Sequence, residues 1–417
     1  MAKKEKIESF NLYNPYKLAL GEDVEFPSSR NLKEYGNRVY NRYPARSIFL
    51  VPRATLSHQD KEQLNILDPF MGSGTTAVET VISGNIPFGL EMDPFARMVA
   101  EVSSSIFSNE ELREISNTYN QIIANWQDYE GEPIPALTGI ERWFKPGDLD
   151  KLLKLKSAII NMSPIGFRDF FLITFADAIK PVSLMERQSL KPYISTRYTK
   201  VTKSVQESFD YSFNAHILAM QEMTSCGQPR RAIKWLGDDA TNFSNENLID
   251  LAITSPPYIN ALDYTRCIKV ESALCGTINN TIANGLREKQ VGHEKRRKQN
   301  INNIVSELFQ PYYDGIFELD KQRAETCRAY FNDMYKNLQC VFKALKKAGE
   351  YHIIIGDNTI KGIDIPTHDL VRSLAQTIGY EFFGHYCYEI KDHRTSIPRN
   401  KKNSKIEYEH VIMLRKS

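Results

Sequence analysis

The sequence lacks an excess of charge of either sign, and it lacks any long apolar run. Among its 417 residues, 53 lysines and arginines are balanced by 51 aspartates and glutamates, so the formal net charge is +2. Only local clusters of charge can therefore indicate a polyanionic partner. No segment approaches the ~20 consecutive apolar residues of a membrane span, and the charged N-terminal stretch lacks the apolar core of a signal peptide. We expect a cytoplasmic protein with no membrane partner.

Cysteine is scarce, and its spacing does not suit a metal site. The six cysteines form no Cys-x-x-Cys pair, and none has a nearby histidine at the spacing of zinc ligands. We therefore interpret the cysteines as reduced packing residues and expect no bound metal.

Strand-like and helix-like segments alternate over residues 64–102. The segments "LNILDPF" and "GNIPFGLEMD" are strand-like, and each is followed by a helix-like segment, "MGSGTTAVETVIS" and "PFARMVAEVSSSIF". This alternation is typical of a parallel sheet covered by helices. With 41% hydrophobic residues, the chain can bury a large core. The sequence predicts an α/β fold with a mostly parallel sheet flanked by helices.

The alternation is interrupted by a long helix-like interval. Residues 109–228 contain few strand-like segments, whereas such segments occur again at 232–240 and 247–258. Further on, we expect a long helix over about residues 321–347 and a strand at 350–358, followed by one helix and two strands. We therefore predict that residues 1–108 and 229–417 form two parts of one domain, and that 109–228 is a helical insertion.

The segment "LDPFMGSGTT" places an acid and a glycine turn where the first predicted strand ends. Asp68 ends the strand, and Gly72 and Gly74 precede the helix, at the edge where α/β sheets bind ligands. A phosphate-binding P-loop is disfavoured because Thr75 stands where that motif requires lysine. A dinucleotide site is compatible with Ala77, but Asp68 would repel a pyrophosphate. An acid at this position better suits a ligand that carries an ammonium group.

A second acid follows the next strand in "FGLEMDPFARM". Glu91 is placed to accept hydrogen bonds from the hydroxyl groups of a ribose. The alternative is that Glu91 or Asp93 caps the helix that begins at Pro94. Asp93 fits the cap better, which leaves Glu91 for a ligand.

The segment "TSPPY" follows the strongly apolar strand "IDLAI". Two prolines lack N–H groups and have fixed φ angles, so they form a rigid exit that directs the Ser255 hydroxyl and the Pro256 carbonyl. Two such acceptors can hold the hydrogens of an exocyclic amino group and direct its lone pair at an electrophile. Tyr258 offers an aromatic face on which a flipped base can stack. The alternative is an ordinary surface turn.

The combination of "DPFMGSGTT" and "TSPPY" resembles the S-adenosylmethionine-dependent DNA methyltransferases that modify exocyclic amino groups. The Ser-Pro-Pro-Tyr form is more typical of N4-cytosine enzymes, and Asp- or Asn-Pro-Pro-Tyr of N6-adenine enzymes. The resemblance implies a Rossmann-like methyltransferase fold, S-adenosylmethionine as cofactor, double-stranded DNA as substrate and a possible cognate restriction endonuclease as partner. It also implies direct methyl transfer without a covalent enzyme intermediate, and the sequence contains no Pro-Cys nucleophile.

The resemblance assigns roles to individual residues. The cofactor-binding residues would be Tyr43 and Pro44 in "RYPARSIFLVPR", followed by Asp68, Phe70, Gly72, Gly74, Thr75, Glu91 and Asp238. The catalytic residues would be Ser255, Pro256, Pro257 and Tyr258. The insertion at 109–228 matches no family motif, and we consider it a possible target-recognition region.

Three basic stretches are candidates for holding DNA, at 187–203, 295–298 and 393–405. Phosphate contacts come from lysine and arginine, although any single basic run is more often a solvated loop. The predicted DNA-binding residues are Arg187, Lys191, Arg197, Lys200, Arg296, Arg297 and Arg394. After the catalytic motif, Asp263, Tyr264 and Arg266 either line the pocket or read the base, with helix capping by Asp263 as the alternative.

Three other functions fit the same motifs less well. An N6-adenine DNA methyltransferase would use the same chemistry. An RNA methyltransferase usually carries Asp or Asn before the two prolines and an added RNA-binding module. A non-catalytic DNA-binding protein would have no need of the polar groups at both strand ends.

Overall fold

The computed structural model describes residues 13–26, 33–40, 42–61, 63–187, 189–227, 233–259, 262–296, 300–390 and 406–417. The strands are β1 (Glu22–Asp23), β2 (Asn65–Asp68), β3 (Ile86–Leu90), β4 (Lys234–Gly237), β5 (Ile249–Thr254), β6 (Leu345–Gly356), β7 (Asn358–Ile360), β8 (Ile363–Ile365), β9 (Tyr380–Glu389) and β10 (Tyr408–Lys416). The helices are α1 (Leu50–Ser57), α2 (Thr75–Ile82), α3 (Pro94–Ser104), α4 (Asn109–Asn125), α5 (Asp148–Met162), α6 (Arg168–Val182), α7 (Val205–Thr224), α8 (Tyr264–Leu274), α9 (Asn280–Lys289), α10 (Asn303–Leu319), α11 (Lys321–Ala344) and α12 (Thr367–Ile378).

The central sheet has eight strands in the order β1-β9-β10-β6-β5-β2-β3-β4. The pairs from β4 through β3, β2 and β5 to β6 are all parallel, with Ile66 opposite Leu251 and Ala252 opposite Tyr351. Strand β10 is antiparallel to both of its neighbours, β6 and β9. Helices flank this mostly parallel sheet, which confirms the predicted α/β fold.

The turn between β2 and α2 depends on two glycines. Gly72 has φ +52° and Gly74 has φ +85°, in the left-handed region that favours glycine. A Cβ atom on Gly74 would lie 2.7 Å from Cα of Ala100, which belongs to α3. Gly74 therefore allows the start of α2 to pack directly against the backbone of α3.

Helix α3 begins as the sequence predicts. The Asp93 side chain accepts hydrogen bonds from the backbone N–H groups of Phe95 and Ala96, and Pro94 occupies the first turn. This confirms Asp93 as the helix cap.

Between α3 and β4, the described part of the chain contains helices and no strand. Helices α4 and α7 each begin with a capping box, formed by Ser108 with Glu111 and by Ser204 with Glu207. The apolar faces of α4–α7 pack in one core cluster with residues of α2, α3 and α8. The helical region thus shares its core with the sheet domain, and its role in target recognition stays a prediction.

The structure differs from the sequence-based expectation around the long helix α11. The predicted helix over residues 321–347 ends at Ala344, because Leu345 already pairs with Ile249 at the start of β6. Between the Ser-Pro-Pro-Tyr segment and α11, the described residues form three helices, α8, α9 and α10. The six cysteines, all within the described residues, are free, as expected, and three of them are buried.

No helix within the described ranges has both the length and the apolar character that a membrane crossing demands.

The close packing at Gly74 leads to a stability prediction. Gly74→Ala should lower the free energy of unfolding by about 1–3 kcal/mol beyond the conformational cost, because the new methyl group meets the α3 backbone. Gly84→Ala is the matched control, since Gly84 has φ +81° and open space around its Cα. In the control, the free energy of unfolding should fall only by about 1–2 kcal/mol, the cost of placing alanine in the left-handed region. Urea unfolding of both variants measures the difference, and equal losses would contradict close packing as the reason for Gly74.

Candidate active site

A cleft that is open to solvent lies at the carboxyl ends of β2, β3, β4 and β5. Parallel strands bring their carboxyl ends to one edge of a sheet, so residues distant in sequence meet there. The predicted residues that line it are Tyr43, Asp68, Phe70, Gly72, Thr75, Glu91, Asp238, Ser255 and Pro257. Of the predicted cofactor-binding and catalytic residues, Pro44, Gly74, Pro256 and Tyr258 are not among the residues that line the cleft.

A buried hydrogen bond joins the two halves of the cleft. The Thr254 hydroxyl donates to Oδ1 of Asp68 at 2.6 Å, and the Phe70 N–H donates to the same oxygen at 3.0 Å. Thr254 ends β5 and Asp68 ends β2, so the bond links the glycine-turn strand to the strand that carries Ser255. The sequence analysis did not assign a role to Thr254, although its position directly before Ser255 was a usable signal.

Burial raises the pKa of Asp68 to about 6, although hydrogen bonds from Thr254 and Thr76 work in the opposite direction. The Asp68 side chain has only 4% exposure, and water cannot fully solvate its charged form. The carboxylate therefore gains from any cationic group that enters the cleft beside it.

Glu91 fixes the glycine turn from the neighbouring strand. Its carboxylate accepts hydrogen bonds from the N–H of Gly72 at 2.8 Å and from the N–H of Asp93 at 2.9 Å. Burial raises the pKa of Glu91 to about 7. Each carboxylate oxygen retains a second lone pair, so Glu91 can hold the turn and still accept a hydrogen bond from a ligand.

Arg97 connects the ends of β3 and β4, a role that the sequence analysis missed. Its Nε donates to the Glu91 carbonyl at 2.7 Å, and its guanidinium also donates to the Gly237 carbonyl. The guanidinium carbon lies 4.7 Å from the centroid of the Trp235 ring. This anchor places Asp238, the exposed residue after β4, on the rim of the cleft.

The loop that carries Ser255 is anchored at its far end by Tyr258. The Tyr258 hydroxyl donates to Glu409 of β10, and the Tyr388 hydroxyl of β9 donates to the other Glu409 oxygen. The Tyr258 ring packs against the core cluster that contains the residues of β6. Ser255 and Pro257 face the cleft while Tyr258 ties the loop to the sheet, and stacking on a base stays a prediction for this ring.

The wall opposite the glycine turn comes from α8 and the end of α9. Tyr264, Leu286 and Gln290 line the cleft there. Asp263 accepts a hydrogen bond from the Arg266 N–H and caps α8, which confirms the capping alternative. Its carboxylate also lies 3.0 Å from Nε of Arg287. Burial acts to raise the pKa of Asp263, but hydrogen bonds from His293, the Arg266 N–H and Arg287 together hold it at about 2.

The basic stretch between α6 and α7 contains both exposed and internally bonded cations. Arg187, Lys191 and Arg197 are exposed. The Lys200 ammonium instead donates to the carbonyls of Lys180, Ser183 and Met185 at 2.6–2.9 Å. Lys200 therefore has a structural role at the end of α6 that the charge pattern did not reveal.

Arg296 is not the exposed cation that we expected. Its Nε lies 2.8 Å from Oδ2 of Asp333, and the two side chains have only 8% and 1% exposure. Its terminal nitrogen also donates to Oδ1 of Asp333 at 2.9 Å. Arg296 is thus held in a buried ion pair, whereas Arg297 and Arg394 lie outside the described residues.

The chain is similar in sequence to proteins named Type II methyltransferases. It is 22% identical to M.MvaI of Kocuria varians over 410 residues, which cover 92% of this chain and 90% of that protein. It is 21% identical to M.AvaI of Nostoc sp. over 398 residues, 86% of this chain and 81% of that protein. Identity to M.BsoBI of Geobacillus stearothermophilus is 26% over 301 residues, 62% of this chain and 55% of that protein. No protein-family model matches the chain.

Comparison with solved structures gives low TM-scores. An rRNA methyltransferase, aviRa from Streptomyces viridochromogenes, aligns with a TM-score of 0.34 and 10% identity over 96% of each chain. A TehB-like SAM-dependent methyltransferase from Corynebacterium glutamicum aligns with a TM-score of 0.30 and 9% identity over 93% of this chain and 91% of that one.

The raised pKa of Asp68 leads to a stability prediction with a defined sign. A carboxyl whose pKa rises on folding is more protonated in the native state, so its contribution to stability falls as pH rises from about 4 to above 6. Over that window the titration of Asp68 should lower the free energy of unfolding by about 3 kcal/mol, since one pKa unit corresponds to about 1.4 kcal/mol.

Asp68→Asn removes this titration while keeping an acceptor for Thr254. Its melting temperature should therefore rise relative to wild type as pH increases from 4 to 7 and then stay constant. Asp60→Asn, at an exposed position, is the control and should follow wild type. If the difference in melting temperature between Asp68→Asn and wild type does not vary with pH, burial does not raise the pKa of Asp68 as proposed.

Proposed function

We propose that this chain is a DNA methyltransferase that transfers a methyl group from S-adenosylmethionine to the N4 amino group of cytosine. The observation that carries the proposal is that Asp68 and Ser255 line one cleft, with their strands joined by the Thr254 hydrogen bond. The similarity to Type II methyltransferases over most of the chain supports the same reaction class. By the same similarity, we propose that the protein belongs to a restriction-modification system with a partner endonuclease.

The residues of the cleft fit S-adenosylmethionine. Asp68 would accept a hydrogen bond from the ammonium group. At the neighbouring strand ends, Glu91 would accept hydrogen bonds from the ribose and Asp238 from the adenine. Phe70 and Tyr43 supply apolar surface, as an adenosyl group requires. The bound cofactor supplies a methyl group activated by a sulfonium centre.

The Ser255 loop supplies the acceptor side of the reaction. The Ser255 hydroxyl and the Pro256 carbonyl would accept hydrogen bonds from the amino group and direct its lone pair towards the methyl carbon. With S-adenosylmethionine held in the cleft, the chemistry supplied would be formation of a carbon–nitrogen bond with breakage of the carbon–sulfur bond, loss of one proton from the nitrogen to solvent and a neutral thioether as leaving group.

The loop is suited to this task because it is held at both ends. Thr254 bonds to Asp68 at one end, and Tyr258 bonds to Glu409 at the other. The two intervening prolines restrict the backbone between these anchors. Positioning groups that are fixed before substrate arrives lower the entropic part of the barrier.

DNA would approach over the exposed cations of the segment between α6 and α7. Arg187, Lys191 and Arg197 are exposed there and would contact phosphates. The target base would leave the duplex to enter the cleft, because an amino group inside a stacked duplex cannot reach the methyl carbon.

The proposal is tested by identifying the modified nucleoside. DNA incubated with the protein and S-adenosylmethionine is digested to nucleosides and analysed by mass spectrometry, with RNA as a parallel substrate. We expect N4-methylcytosine from DNA and none from RNA. Recovery of N6-methyladenine from DNA would replace the base assignment, and methylation of RNA alone would overturn the proposal.

Substitutions in the cleft should separate catalysis from cofactor binding. Ser255→Ala removes an acceptor used during transfer, so the single-turnover rate should fall about 100-fold or more while cofactor affinity changes little. Asp68→Ala should chiefly weaken cofactor binding, measured by calorimetry. Unchanged single-turnover rates in both variants would contradict these roles.

A further inference from the structure

Three histidines meet on the face of the sheet that α12 covers, away from the cleft lining. His368 lies in the first turn of α12, His385 lies on β9 and His410 lies on β10. One nitrogen from each ring lies within 4.8 Å of the others. Nε2 of His385 is 3.0 Å from Nδ1 of His410. The sequence analysis missed this cluster because it examined cysteines with nearby histidines, whereas here the fold brings together residues from three elements.

Asp357, which follows β6, holds one of the three rings by a hydrogen bond and lies near a second. Nδ1 of His368 lies 2.8 Å from one Asp357 oxygen, and Nε2 of His410 lies 3.7 Å from the other. The other nitrogen of each ring, Nε2 of His368 and Nδ1 of His410, is therefore the one that faces away from Asp357. A carboxylate that holds one imidazole nitrogen and leaves the other for a metal is the usual outer-shell arrangement at metal sites.

The three rings are half-buried and packed together. The rings of His368 and His410 are stacked, with centroids 3.9 Å apart and an interplanar angle of 7°. A neutral imidazole has a free lone pair on one nitrogen, which is the form that binds a metal.

We propose that His368, His385 and His410 form a binding site for a divalent transition-metal ion of the zinc class. Zn–N bonds of about 2.0–2.1 Å in a tetrahedral site place two ligand nitrogens about 3.3 Å apart. The 3.0 Å between the His385 and His410 nitrogens is close to that edge. The His368 nitrogen lies within 4.8 Å of the other two, and the ring must turn out of its stack with His410 to take the third position, with water in the fourth. In the metal-free protein one of the two facing nitrogens, His385 Nε2 or His410 Nδ1, donates a hydrogen bond to the other. On metal binding that proton moves to the outer nitrogen of the same ring, so each neutral ring presents a lone pair to the metal.

The site would stabilise the part of the sheet that supports the Ser255 loop. A metal held by these three residues ties α12 to β9 and β10, and through Asp357 to β6. Glu409, the neighbour of His410, accepts the hydrogen bond from Tyr258. Metal binding by the three histidines does not depend on methyl transfer in the cleft, so the two proposals can be tested separately.

Metal binding is tested on the full chain, purified without a polyhistidine tag and stripped with a chelator. Titration with Co²⁺ should give the visible absorption of a tetrahedral or five-coordinate site at one equivalent per chain. Zn²⁺ should displace the Co²⁺ and raise the melting temperature by several degrees. Saturation at one equivalent supports the site, and the absence of stoichiometric binding overturns it.

Variants locate the ion. His385→Ala and the more conservative His385→Gln should each weaken Zn²⁺ binding by about 100-fold or more, and Asp357→Asn by about 10- to 100-fold. His58→Ala is the control, since His58 lies beside α1 and bonds to the Ala54 carbonyl. Circular dichroism confirms that each variant is folded. One-equivalent binding that survives in both folded His385 variants would overturn the assignment.

Discussion

The hydrogen bond from Thr254 to Asp68 is the contact on which the cleft depends. It joins the ends of two neighbouring parallel strands, β2 and β5, and both partners are buried. On one side of this bond the chain turns through Gly72 and Gly74 into α2, and on the other side it enters the two prolines after Ser255. The position of the glycine turn relative to the serine is therefore held by this short, solvent-protected bond together with the parallel pairing of β2 and β5.

The electrostatics of the cleft follow from the same burial. Asp68 and Glu91 lie side by side at the strand ends, and burial raises both of their pKa values, to about 6 and about 7. Two carboxyls that are costly to ionise in the free protein favour a ligand with a positive charge, since such a ligand offsets the cost. Sites of this kind reduce the stability of the free protein and gain it back when the ligand binds.

Local patterns in the sequence predict the parts of this structure that depend on local physics. The alternation of strands and helices, the glycine turn and the Asp93 cap each rest on residues within one turn or one strand, and each is confirmed. The meeting of Asp68 with Ser255 follows as well, because parallel strands share an edge.

Contacts between residues far apart in sequence were not predictable in the same way. The sequence marks Arg296 as part of a basic run, yet Asp333 on α11 pairs with it in the interior. Lys200 is likewise hidden by three carbonyls that its sequence neighbours do not reveal. The histidine cluster needs β9, β10 and α12 in place before its members become neighbours. In each case the partner is chosen by tertiary packing, which a charge run or a spacing rule does not contain.

A double-mutant cycle on Thr254 and Asp68 measures the central contact most directly. The free energy of unfolding in urea is compared for wild type, Thr254→Val, Asp68→Ala and the double variant. If the bond couples the two halves of the cleft, the effects should be non-additive, with a coupling free energy of about 1 kcal/mol or more, and Thr254→Val should cost little once Asp68 is absent. Additive effects of the two substitutions would show that the halves act independently and would contradict this account.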